Sequence, residues 1–128
     1  GAQRFLLPGL AIAALGLAAI SAGVSGIAGS VAPVALIAGA GLVGSAFGIM
    51  QNVTLVRAFE LAGEHAKGLA STAWNVAFDA GTGVGALAIG ALATGTSFAL
   101  SFVALAVLSV LVAVVLLLGG RDPRSSAG

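Results

Sequence analysis

Four residues of this chain carry carboxyl or carboxamide groups inside apolar stretches: Asp79 and Asn75, one helical turn apart, and Gln51 and Asn52 in an earlier stretch. Asp79 and Asn75 lie in residues 69–93, an apolar run long enough to cross a hydrocarbon core, and Gly81, Gly83 and Gly85 follow them at once. A helix rises about 1.5 Å per residue, so Asp79 falls roughly 15 Å past Leu69, near the bilayer midplane. A carboxylate at that depth costs roughly 2.5–3.5 kcal/mol on insertion scales, and a chain normally carries one only where protein or a wet cavity receives it. The chemistry open to Asp79 is to take up and release a proton or to pair with a substrate's charge, while Asn75, Gln51 and Asn52 hold polar atoms. The plainer role for the amides is to bond other helices, at about 0.6 kcal/mol each. Both roles stay open on the residues alone.

The remaining reactive residues do not assemble into a catalytic or metal-binding set. His65 stands alone in a charged stretch, there is no cysteine, and no Ser/His/Asp or paired-carboxylate spacing is present. Enzymatic activity, a bound metal and a cofactor are therefore not expected. Nor is nucleic acid expected as a partner, since five scattered cations and a net charge of +1 make no basic patch. Gly81, Gly83 and Gly85 sit in mid-span, where close helix packing explains them better than a phosphate loop does.

These residues must be positioned by helices in lipid. The 128-residue chain is 59% hydrophobic and only 7% charged, with a mean hydropathy of +1.18. A soluble domain is usually about 25% charged, so the expected solvent is the bilayer. The pattern predicts an all-α, polytopic membrane helix bundle with spans at about residues 5–22, 32–56, 69–93 and 98–118. Pro8 and Pro33 fall at helix starts, where a missing N–H leaves little unsatisfied. In the second span Gly44 and Gly48 form a G-x-x-x-G pair, and Gly81 and Gly85 repeat it in the third, which marks candidate packing faces. Between those spans, residues 57–68 read as a charged loop in which Arg57, Glu60, Glu64 and Lys67 are spaced for local ion pairs. Trp74 reads as an interfacial anchor, the fourth span as a lipid-facing helix, and residues 119–128 as a polar tail.

Arg4, the pair Arg57 and Lys67, and the pair Arg121 and Arg124 fall on one side of four crossings, and the other two connections hold no Lys or Arg. The positive-inside rule makes that side the cytoplasm, with both termini there, and the cell membrane the expected location. A rival reading makes Arg4 and residues 5–20 a signal peptide cleaved within residues 21–25, but three further spans follow. The chain opens on Gly1, and Met50 inside a span is its one methionine, which reads as a cut end.

A Gly-rich span ending in residues 51–57, a short charged loop, and ASTAWNVAFDAGTGVGALAIG at residues 70–90 resemble the tenth and eleventh helices of major facilitator superfamily transporters. Asp79, Gly81, Gly85 and Gly90 match the acidic-then-glycine pattern of the eleventh, and residues 1–10 look like the entry to the ninth. The resemblance implies a partial C-terminal domain over residues 1–128, helices nine to twelve of twelve. Spans two and three would then line a central path, and spans one and four would face lipid. It further implies secondary active transport of a small molecule by alternating access, proton-coupled, in company with the remaining helices of the same transporter. Four helices alone are then not expected to transport.

An alternative from a different class is a complete four-helix membrane protein that works by self-association. It could be a small multidrug-type transporter or a membrane scaffold. The small multidrug transporters carry an essential glutamate in their first helix, and span one here has no acidic residue.

Overall fold

The computed structural model describes residues 2–119, with side chains from residue 4 onward. It is all-α. Four helices, α1 (Leu6–Val24), α2 (Ala32–Ala62), α3 (Lys67–Gly95) and α4 (Phe98–Gly119), are each long and apolar enough to cross a membrane. Single 3-10 turns at Ala2–Phe5, Gly29–Val31 and Glu64–Ala66 precede α1, α2 and α3. There is no strand among the described residues.

The spans agree with the hydropathy pattern to within two residues, except at the end of α2. There the expected loop at residues 57–68 is largely helix, and the chain is out of α-helix only at residues 63–66. Apolar patterning marks where lipid ends, and helix propensity decides where the helix ends. Residues 57–62, Arg-Ala-Phe-Glu-Leu-Ala, contain no breaker, and the Arg57–Glu60 pair at 3.1 Å supports the extra turn. The stop comes at Gly63, whose φ of 70° lies where only glycine is unstrained and whose N–H closes on the Phe59 carbonyl. Glu64 then pairs with Lys67 across the next turn at 2.6 Å. The four charges thus form two local pairs on either side of a break, not one continuous face. At the opposite, uncharged end of the bundle, Gly26 and Gly29 supply the positive φ that turns α1 into α2.

The four helices are organised around α1. It packs along α2 on one side and α4 on another, and Leu10, Leu17 and Ser21 are buried on it. The α1–α2 seam is built on three glycines seven residues apart, Gly9, Gly16 and Gly23. Each receives α2 in antiparallel order. A Cβ at Gly9 would lie 3.1 Å from Met50 Sδ, one at Gly16 2.9 Å from Val43 Cγ2, and one at Gly23 2.7 Å from Leu36 Cγ. Met50, Val43 and Leu36 also recur every seven residues, the repeat that keeps two helices in register along a shallow crossing. At the closest point the two backbones nearly touch, because a Cβ on Gly16 would stand 2.8 Å from the Gly39 carbonyl oxygen and one on Gly39 2.8 Å from that of Gly16. In lipid such packing, not exclusion of water, holds helices together. The α1–α4 seam adds a bolt: Ser21 Oγ donates to the Ala99 carbonyl at 2.9 Å, and Ser101 nearby is fully buried with its hydroxyl on the Ser97 carbonyl.

The third helix stands at the edge. No residue of α3 is buried; it is half-buried at Ala70, Ser71, Trp74 and Phe78 and again at Ile89, Leu92 and Ala93, and every residue from 79 to 88 between them is exposed. The span expected at the lipid side, α1, has α2 and α4 as neighbours and keeps Ala11, Leu15 and Ala18 exposed. The span expected to line a path, α3, lies open within this set of four. The expected tail, with Arg121 and Arg124, lies outside the described residues.

Candidate functional site

Asp79 sits near the middle of α3, two residues before its central Gly81. Its side chain is exposed, and no hydrogen bond or ion pair among the described residues engages it. The nearest cations in the chain's pattern, Arg57 and Lys67, are taken up by Glu60 and Glu64 at the charged end. Asn75 is exposed one turn away on the same face, and Thr72 and Thr82 extend that face at spacings of three, so Thr72, Asn75, Asp79, Thr82 and Ala86 form one exposed row. The row runs beside Phe78, which is three residues from Asn75 and four from Thr82, so it flanks the side chains that fasten α3 to α2.

That fastening is aromatic. Trp74 Nε1 donates to Thr54 Oγ1 on α2 at 3.0 Å, and the Thr54 hydroxyl passes its own proton to the Met50 carbonyl at 2.7 Å. The Trp74 ring stacks on Phe78 with centroids 4.8 Å apart, and Phe78 meets Phe47 of α2 edge-on at 5.3 Å. Trp74 is thus a clasp between α2 and α3, a role the sequence did not announce. Thr54 was missed in the sequence, although its position seven residues after Phe47 puts both on the face of α2 that meets α3.

The other expected site residues stay apart. Asn52 Nδ2 donates to the Gly48 carbonyl at 2.8 Å, and Asn75 Nδ2 to the Ser71 carbonyl at 2.9 Å. Each amide therefore closes on its own helix and not on the other, and the two-helix amide cluster does not form. Gln51 is half-buried with no side-chain hydrogen bond among the described residues. Gly44, Gly48, Gly81 and Gly85 would meet nothing within 4 Å if given a Cβ, so these glycines face no other helix of the four. The close contacts of this bundle use Gly9, Gly16, Gly23 and Gly39 instead. His65 is exposed in its 3-10 turn, and no group of three His, Cys, Asp or Glu residues gathers among the described residues.

Two crevices open at the ends of the bundle. One of about 720 Å³ lies at the uncharged end between Val24, Ser25, Ala93, Phe98 and Phe102. The other, of about 360 Å³, lies at the charged end between Val56, Phe59, Glu60 and Lys67. Neither includes Asp79, so the candidate site is an open helix face.

No protein-family profile, curated protein or solved structure matches the chain.

Proposed function

We propose that this chain is part of a secondary active transporter in which α3 faces the translocation path and Asp79 carries the coupling proton. The supporting observation is a single one: a carboxylate lies open at the middle of a membrane-length helix, on a row of polar and small side chains. Hydrocarbon is the wrong medium for that row, and a protein-lined, hydrated path is the right one. Other helices of the same transporter would complete the path opposite α3, and rocking of the two sides around the midplane would expose Asp79 alternately to each face. Its likeness in order and spacing to major facilitator superfamily transporters points the same way, towards efflux or uptake of a small molecule in the cell membrane. The test is transport by the intact protein in liposomes under a pH gradient. Asp79→Asn is expected to remove the pH dependence, and unchanged pH dependence would sink the proton role.

A second reading is favoured by the bare glycines. Gly44, Gly48, Gly81 and Gly85 are open in one copy, as the faces of a self-associating four-helix protein would be. Gly44→Leu separates the two: it would abolish oligomers if copies meet there, and transport if the face belongs to a path within one molecule.

A further inference from the structure

The polar row on α3 has a chemical polarity that goes beyond the presence of Asp79. Asn75 turns its amide nitrogen back onto the Ser71 carbonyl, and only an NH2 can bond a carbonyl oxygen, so Oδ1 is the atom left facing outward. Thr72 likewise directs its hydroxyl proton to the Gly68 carbonyl at 3.1 Å, which leaves oxygen lone pairs for anything outside. Asp79, when ionised, only accepts. From Thr72 to Asp79 the exposed face therefore offers the Asp79 carboxylate, Asn75 Oδ1 and the Thr72 oxygen as acceptors, with a single N–H of Asn75 left over as a donor. Acceptors and negative charge dominate this face, which favours a ligand that brings donors and a positive charge.

We infer that this row recognises a monovalent organic cation bearing N–H donors, an ammonium or guanidinium group, held by the Asp79 carboxylate and Asn75 Oδ1. The inference rests on the transport reading for its purpose, since it assigns a substrate class to the same face. Size supports an organic cation over a metal ion. Residues four apart on a helix are about 6 Å apart along its axis, a distance that a multi-donor cation bridges. Hard metal cations instead gather six or more oxygens at roughly 2.0–2.6 Å, which two side chains on one helix face do not supply. Charge-assisted bonds to a carboxylate are the stronger kind, and a guanidinium matches that geometry with paired N–H groups.

The measurement is equilibrium binding of radiolabelled guanidinium to the intact protein in lipid nanodiscs at neutral pH. Urea, with the same shape and no charge, and tetramethylammonium, with the charge and no N–H, serve as competitors. Guanidinium should bind and neither competitor should displace it at equal concentration. Asp79→Asn should weaken binding about tenfold or more, the loss of one charge-assisted bond. Asp79→Glu, which keeps the charge, should stay within about threefold, and Asn75→Leu should fall between the two variants. Equal binding to Asp79→Asn, loss of binding in Asp79→Glu, displacement by tetramethylammonium, or no binding to the unaltered protein would each overturn the inference. Asp79-dependent, pH-driven transport without guanidinium binding would defeat the substrate class and leave the transport reading standing. Guanidinium binding through Asp79 without transport would do the reverse.

Discussion

Trp74 is the only tryptophan in the chain, and its indole reaches across to a threonine whose own proton is already committed. That makes Thr54 a pure acceptor for Trp74 and gives the α2–α3 seam a built-in optical reporter. Thr54→Val, which keeps the shape and deletes the acceptor, should lower stability by about 0.6 kcal/mol, the usual worth of an interhelical side-chain bond in lipid. Unfolding in mixed detergent, followed by Trp74 emission, measures it. The surrounding stack of Trp74, Phe78 and Phe47 should persist in that variant, and a loss well above 1 kcal/mol would mean that the hydroxyl also orders the rings. Gly16 and Gly39 sit at the other extreme, where hydrogen is the only side chain that fits. Gly16→Val or Gly39→Val should cost about 1–3 kcal/mol by overpacking and weaken the α1–α2 pairing. Gly41→Ala, at a position with nothing within 4 Å, should leave the same pairing intact. At this scale the sequence was half legible. The place of Asp79 near the middle of its helix and its turn-spacing to Asn75 could be read directly. The direction in which Asn75 spends its hydrogen bond could not, because a back-bond to the i−4 carbonyl and a bond to a neighbouring helix use the same residue type.

Among the elements, the glycines divide into two populations that composition does not separate. G-x-x-x-G spacing drew attention to Gly44 and Gly48, yet the seam in this bundle runs on the seven-residue repeat of Gly9, Gly16 and Gly23, facing Leu36, Val43 and Met50. Both patterns bring small residues to one helix face. Gly81 and Gly85 repeat the four-residue spacing on α3 yet meet nothing within 4 Å, so matched periods alone did not mark the seam; the heptad glycines face a helix that packs on them. The helix bounds were legible because apolar runs, Pro33 and Gly63 mark them, and α2 overran its expected end because the charges after Val56 are good helix formers. Ser21 joins elements far apart in the chain, and no local pattern announces its bond to Ala99. Ser21→Ala should lower stability by about 0.6 kcal/mol in the same detergent assay. The effect should appear in the α1–α4 seam, with the Trp74 signal unmoved.

For the molecule as a whole, the distribution of the cations predicts a cytoplasmic side, and the absence of cysteine makes that easy to check. In intact cells, a membrane-impermeant maleimide should label Ser25→Cys and Ser97→Cys and spare His65→Cys; the opposite pattern would invert the topology. The order of packing also has a consequence for how such a chain is made. The α1–α2 hairpin joins neighbours in sequence and can close as soon as both helices have left the ribosome. The Ser21–Ala99 bond spans 78 residues, so α4 reaches its place on α1 only after α3 has already been released into the membrane. During that interval α3 has the Trp74 clasp and little else to hold it, and its midsection never gains a neighbour from these four helices. The order of synthesis therefore predicts a stage with a closed α1–α2 hairpin and a third helix held mainly by the Trp74 clasp.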